Sequence, residues 1–294
     1  MKPTMNNPAV KTKKPDWLKV SMPGGDDYFH LKNKLKDKGL PTICQSAKCP
    51  NIAECWNHNQ ATLLIMGAVC TRDCLFCSVP TGIPASLDED EDQKVWQIAE
   101  MMNLSYLVIT SVTRDDLPDK GSGHFAKVIR LLKKNRPQMK VEVLVPDFSG
   151  VSHYVELVLQ AAPDVLAHNV ETVPGLYPVI NRQAGAFSHS LQILEYSKKK
   201  DWLTKTGVMI GLGESWSEIG ELFGVLKAIG VDILTIGQYL QPDKHCIPVA
   251  KYYSPEEFAA LKKYALTFGF AGVESGPFVR SSYHAEQLFK AVVN

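Results

Sequence analysis

Net charge is nearly absent: 32 Lys and Arg stand against 31 Asp and Glu in 294 residues, a formal balance of +1. No global field therefore draws the chain to nucleic acid or to an acidic membrane. Long apolar runs are missing too. The longest, residues 61–69, has about half the length that a bilayer span requires. The opening Met1-Lys-Pro-Thr-Met-Asn-Asn-Pro8 is polar and broken by proline. That is neither the apolar core of a secretory signal nor the Arg-rich amphipathic pattern of a transit peptide. The expected location is a reducing cytoplasm. No short repeat or low-complexity tract occurs. Outside one window there is a single cysteine, Cys246. In a reducing compartment, clustered thiols point to metal or redox chemistry rather than to structural disulfides.

The composition, 45% hydrophobic and 21% charged, is that of a globular protein. Six of the seven cysteines fall between Cys44 and Cys77, in two triplets. The first is Cys44-Gln-Ser-Ala-Lys-Cys49-Pro-Asn-Ile-Ala-Glu-Cys55. The second is Cys70-Thr-Arg-Asp-Cys74-Leu-Phe-Cys77. A closed zinc site or a fully protein-ligated iron–sulfur cluster takes four protein ligands. Each triplet thus leaves one metal position for something other than cysteine. A zinc reading of the second triplet lacks its fourth thiolate, and no Cys-x2-Cys pair elsewhere supplies one. Three thiols cannot all pair as disulfides.

From residue 61 onward, short apolar runs alternate with helical patterns. The runs cover residues 61–67, 106–112, 140–146, 164–171, 205–211 and 233–240. Ile219, Leu222, Phe223, Leu226 and Ile229 share one helical face, as do Phe258, Leu261, Tyr264, Ala265 and Phe268. Strand then helix, six times, predicts an α/β fold with a parallel sheet covered on both faces. Six units are fewer than the eight of a closed barrel, so the expected architecture is a partial (β/α)6 TIM-like barrel; a doubly wound sheet is the alternative. Residues 1–60 read as an N-terminal extension carrying the first triplet, 61–270 as the barrel and 271–294 as a C-terminal segment closing over that triplet. Polar residues gather at the strand ends, where α/β folds bind ligands. The acidic run Asp88-Glu-Asp-Glu-Asp92 is expected to be a solvated helix cap. His168 is expected to be a bonded structural histidine.

The spacing of Cys70, Cys74 and Cys77 resembles the signature loop of the radical S-adenosylmethionine enzymes. That resemblance implies a [4Fe-4S] cluster with one open iron, chelated by the amine and carboxylate of S-adenosylmethionine, and an aromatic, Phe76, near the adenine. Together with the first triplet, a series of ordered blocks resembles the lipoyl synthase family nearly end to end. They include Leu40-Pro-Thr-Ile-Cys44, Thr110-Ser-Val-Thr-Arg-Asp-Asp-Leu117, His168-Asn-Val-Glu-Thr172 and Ser275-Gly-Pro-Phe-Val-Arg-Ser-Ser-Tyr-His284. Lys120 stands where that family more often has glycine, and Cys246 where it requires no cysteine.

The resemblance implies a second [4Fe-4S] cluster on Cys44, Cys49 and Cys55, with a serine of Arg280-Ser-Ser-Tyr283 as fourth ligand. Ser282 is the expected ligand and Ser281 the alternative; either serine could instead cap the final helix. A hydroxyl is a harder, poorer ligand than thiolate for this iron, which suits a cluster that must come apart to donate sulfur. Asn169, Glu171 and Arg182 are expected at the ribose or methionine part of the cofactor, and Arg280 at the substrate amide or tail. The implied reaction places two sulfurs, at C6 and C8, on an octanoyl chain carried by a lysine of a lipoyl-carrier protein. The implied partners are that octanoylated carrier, an electron donor such as ferredoxin or flavodoxin, and an iron–sulfur cluster supply protein, with neither nucleic acid nor membrane. The rivals are another sulfur-inserting radical enzyme, such as biotin synthase or a methylthiotransferase, and a ferredoxin-like carrier. The first rival leaves Arg280-Ser-Ser-Tyr283 unexplained. The second needs no barrel and no open iron.

Overall fold

The structure is a computed structural model and describes residues 14–20, 22–58, 60–183 and 185–293. Most of the basic stretch Lys11–Lys14, read as part of a surface arm, lies outside the described residues. The N-terminal extension contributes α1 (Asp26–Asp37), α2 (Ile43–Ser46) and α3 (Ile52–Asn57). Leu31 and Leu35 of α1 pack with Trp56 of α3 in the main core.

The barrel begins with β1 (Thr62–Ile65) and continues as α4 (Glu91–Met101), β2 (Tyr106–Ser111), α5 (Ser122–Asn135), β3 (Lys140–Leu144) and α6 (Ser152–Leu159). Next come β4 (Val165–Ala167), α7 (Ala186–Lys199), β5 (Thr204–Ile210), α8 (Trp216–Ala228), β6 (Ile233–Gln238) and α9 (Pro255–Thr267). The chain closes with β7 (Gly272–Gly276) and α10 (Ala285–Val293). All neighbouring strands pair in parallel, in sequence order from β1 to β7. Sequential parallel winding with a helix after nearly every strand is the barrel topology. Among the described residues β1 and β7 do not pair, so the barrel is open along one side. Residues 41–42 run beside the free edge of β1, where Thr42 bridges Leu63 and Leu64 N–H donates to Pro41 O at 3.1 Å.

Local chemistry accounts for the helices. Ser215 and Glu218 form a reciprocal capping box on α8; Ser254 and Glu257 form another on α9, with Pro255 in its first turn. The buried faces of both helices, Ile219, Phe223, Phe258 and Leu261 among them, pack on β5 and β6. The barrel interior is partly polar. Lys205 of β5 reaches Glu142 of β3 at 2.8 Å, and the Tyr106 hydroxyl donates to the same carboxylate at 2.5 Å. This buried ion pair fills the end of the barrel where the strands begin.

Among the described residues seven strands stand where the apolar runs indicated six. β7, Gly-Val-Glu-Ser-Gly, has one large apolar residue and a glycine at each end, so it offers no hydrophobic run. Its position follows from pairing with β6 along its whole length. The acidic run is also only half solvated. Asp88, Glu89 and Asp90 are exposed, but Glu91 and Asp92 are buried. Glu91 accepts from Met66 N–H at 2.8 Å and contacts His124 at 2.7 Å, which ties α4 to the end of β1 and to α5.

Candidate active site

The second triplet lies on the loop after β1, at the carboxyl rim of the sheet. Backbone hydrogen bonds shape that loop. Cys70 N–H donates to Pro80 O at 2.8 Å and Gly82 N–H to Cys70 O at 3.0 Å. Leu75 N–H reaches Ile180 O at 3.0 Å, and Ile247 N–H reaches Leu75 O at 2.9 Å. The amides of Arg72 and Val79 donate to the sulfurs of Cys70 and Cys77 at 3.4 and 3.5 Å. Arg72, inside the loop, is forked between two carboxylates. It reaches Asp115 at 2.7 and 3.0 Å and Asp147 at 2.5 and 2.8 Å. Burial raises the Asp147 carboxyl, but the Arg72 guanidinium wins and holds it well below the usual carboxylate range.

Cys70, Cys74 and Cys77 line a cavity of about 150 Å³ together with Phe76, Asn169, Glu171 and Arg182. Thus the four residues expected to contact the cofactor converge on this triplet. Glu171 sits beyond β4 with φ +67°, a left-handed conformation, where the chain still bridges Val208 of β5 in parallel. Burial pushes its carboxyl up to about 7, against the pull of Arg182 and Asn169. The Arg182 guanidinium lies beside the Cys74 sulfur and 3.4 Å from Asp147. Its buried Nε has no partner among the described residues. His168 is held by Val145 O at 2.7 Å and Ser190 Oγ at 2.8 Å, and burial pushes it down to about 4. It is a neutral structural histidine, as expected.

The first triplet lies at the open side of the barrel. Thr42 caps α2, which carries Cys44, and Cys55 stands on α3. Between them Lys48, at φ +50°, turns the chain so that Cys49 N–H donates to Cys44 O at 2.9 Å. The three cysteines line a cavity of about 60 Å³ with Thr62, Arg280 and Ser282. The paired serines point to different places. Ser282 Oγ accepts from the Thr62 hydroxyl at 2.7 Å, whereas Ser281 Oγ donates to Asn169 Oδ1 at 2.7 Å. No side chain of either serine caps α10 among the described hydrogen bonds. Arg280 Nη1 donates to Val279 O at 2.7 Å.

Two glycines make this approach possible. A Cβ on Gly237 of β6 would stand 2.1 Å from Val279 O, and one on Gly207 of β5 would stand 2.6 Å from Asn169 Oδ1 and 2.8 Å from Ser281 Oγ. The C-terminal segment therefore enters the barrel only against bare backbone. A third cavity, of about 420 Å³, is lined by Cys77, Asn169 and Glu171 from one centre and by Lys48 and Arg280 from the other. Cys77 opens directly on this chamber, and Arg280 stands in the walls of both this chamber and the first triplet's cavity.

The donor sets fit iron–sulfur clusters. Burial, then neighbouring thiols, push Cys44 up to about 11 and Cys55 to about 12; burial first also takes Cys77 to about 12. Such a crowd of thiols becomes thiolate when cations bind and remove the repulsion. Among the described residues no three His, Cys, Asp or Glu side chains converge as a single ion demands. A four-iron core instead takes one thiolate per iron, around its outside. The Trp56 indole N–H is buried with no nitrogen or oxygen acceptor and faces the Cys44 sulfur.

Sequence reasoning did not find the Arg72 clamp or Thr62. The polar block Thr110–Asp116 marked the rim, but only the tertiary structure brings Asp115 and Asp147 to Arg72. Cys246 is a buried free thiol whose S–H donates to Cys77 O at 3.5 Å. Lys120 adopts φ +56°, which explains why glycine suits that position, and its ammonium is held by Asp115 O at 2.8 Å.

Comparison with known proteins gives the family. Residues 64–226 match the radical SAM superfamily, and residues 3–49 match the N-terminal domain of lipoyl synthase of that family. The chain is 48% identical over 285 residues to the lipoyl synthase of Caldicellulosiruptor saccharolyticus, covering 96% of this chain and 100% of that one. It is 49% identical to that of Rubrobacter xylanophilus, covering 93% of this chain and 86% of that one. Among solved structures, methylornithine synthase shares the fold at TM-score 0.57 and 13% identity, over 70% of this chain and 62% of that one. The FeFe-hydrogenase maturase of Carboxydothermus hydrogenoformans does so at TM-score 0.58 and 13% identity, over 79% and 56%.

Proposed function

The chain belongs to the lipoyl synthase family of radical S-adenosylmethionine enzymes, and from that premise we propose how its residues divide the work. The family's reaction attaches sulfur at C6 and C8 of an octanoyl chain carried on a lysine of a lipoyl-carrier protein. Such C–H bonds have no acidic proton, so acid–base catalysis alone does not open them. When bound, the two [4Fe-4S] clusters and S-adenosylmethionine supply a 5′-deoxyadenosyl radical and the sulfur.

In this reading Cys70, Cys74 and Cys77 hold the cluster that keeps one iron open. Arg182 binds the methionine carboxylate, as its unpartnered Nε supports. Glu171 and Asn169 bind the methionine amine and the ribose, and Phe76 packs on the adenine. Cys44, Cys49, Cys55 and Ser282 hold the second cluster. Arg280 orients the substrate amide or tail between the two centres. The chamber walls keep reactants in line and keep out solvent and stray hydrogen-atom donors such as free thiols. Residues 1–60 act as the cluster-bearing extension, 61–270 as the barrel and 271–294 as the closing segment. The electron donor is of the ferredoxin or flavodoxin kind, a cluster supply protein rebuilds the second centre, and the enzyme works in the cytoplasm. Among the described residues no helix is long and apolar enough to cross a membrane.

The observation that carries this reading is the 420 Å³ chamber with Cys77 and Arg280 in its wall, since Arg280 also lines the first triplet's cavity. Its test is anaerobic reconstitution with an octanoyl-lysine peptide, S-adenosylmethionine and a reductant, with the product read by mass. The expected result is a gain of two sulfurs. Release of 5′-deoxyadenosine with no sulfur in the peptide would overturn the assignment of the second centre.

A further inference from the structure

Thr62 is the first residue of β1 and is 4% exposed. It is the Cα partner of Val108 on β2, and both residues line the cavity of the first triplet. Its hydroxyl makes one hydrogen bond among the described residues, to Ser282 Oγ at 2.7 Å across a separation of 220 positions. Its amide faces the Cys44 sulfur. One strand-end residue therefore touches two of the groups assigned to the second cluster.

The direction of the bond to Ser282 follows from the ligand role. A serine oxygen bound to iron has given up its proton and can only accept. Thr62 must then be the donor, and its bond is charge-assisted. Nothing else among the described hydrogen bonds restrains the Ser282 side chain. Ser281, one residue away, is tethered elsewhere, to Asn169.

We propose that Thr62 is a positioning residue for the second cluster: its hydroxyl fixes the rotamer of Ser282 and shares the charge on the serine oxygen, so the weakest ligand stays on its iron until sulfur is needed. This rests on Ser282 being that ligand. Thr62 sets how long the oxygen-ligated iron survives, and the cysteines set whether the cluster is built at all.

The test uses the full chain, loaded anaerobically with ⁵⁷Fe and challenged with a ferrous chelator, with Mössbauer spectra following each iron. Thr62→Val keeps the β-branched shape and removes the donor. It should load about eight irons, as the parent does. Its oxygen-ligated iron should be lost roughly tenfold faster, the scale of one charge-assisted hydrogen bond. The Cys70, Cys74 and Cys77 cluster should be unchanged, and Thr62→Ser should restore the parent rate. A merely structural role would lower thermal stability and affect both clusters together. Thr62→Ala, which cannot overfill the site, repeats the measurement if the valine variant folds poorly. Iron loss at the parent rate in Thr62→Val, with faster loss in Ser282→Ala, overturns the proposal and leaves the Ser282 assignment standing. Parent rates in both variants overturn the two together.

Discussion

At position 282 the choice of oxygen over sulfur matters more than geometry. A thiolate there would complete a four-cysteine set of the kind that electron carriers use to keep a cluster intact. Ser282→Cys is therefore expected to retain the second cluster at least as well as the parent while product formation stops; iron content beside product mass checks both halves. Arg72 acts at the same scale in the other centre. Its fork reaches two carboxylates from different strand ends, and an ammonium on a flexible stem does not reproduce that. Arg72→Lys should cost about 10–100-fold in activity, the usual penalty for losing a group that orients metal ligands. Assay with iron quantified on the same sample separates this from loss of the cluster.

Among the elements, β6 and the segment after β7 show how closely backbone must approach backbone. Val279 O passes where a side chain on Gly237 would stand. A backbone oxygen cannot step aside as a flexible side chain can. Gly237→Ala should push residues 278–282 outward, cost about 1–3 kcal/mol of stability and reduce iron at the first triplet while sparing the second. Chemical denaturation and iron analysis of the purified variant measure the two effects. The helices are less demanding. Ser254→Ala on α9 should remove about 1 kcal/mol through loss of its cap and leave the chemistry alone, as the unfolding midpoint and an activity assay would show.

The molecule as a whole registers acid through groups buried in one protonation state. His168 is enclosed by Val145 and Ser190, and burial holds it down near 4, below the ordinary 6.5. The unfolded chain binds this proton between those two values and the folded chain does not. Stability should therefore fall as pH drops from 6.5 towards 4, and the His168 share should level off below that. The share is on the order of 3 kcal/mol. Denaturation across this range should give a shallower slope for His168→Gln than for the parent; equal slopes would show that His168 is not responsible.

Much was legible in sequence because the signals are local. Thiolate spacing within one loop, apolar runs at strand length and a cap followed by a helical face all depend on neighbours a few residues apart. They determined a parallel α/β fold, with an open barrel expected and a doubly wound sheet as the alternative, two three-cysteine groups and the set of polar strand ends. β7 was not legible, since its place comes from hydrogen bonds to β6 and not from hydrophobicity. Nor was the bond from Thr62 to Ser282 or the fork from Arg72 to Asp147, because each joins residues whose separation along the chain carries no periodic signal. Only the path of the C-terminal segment back against β5 and β6 decided that one serine of an adjacent pair faces the first triplet and the other faces Asn169. The physical reason is that successive residues leave the backbone in different directions, and the direction that meets a cavity depends on where glycine lets two strands of backbone touch.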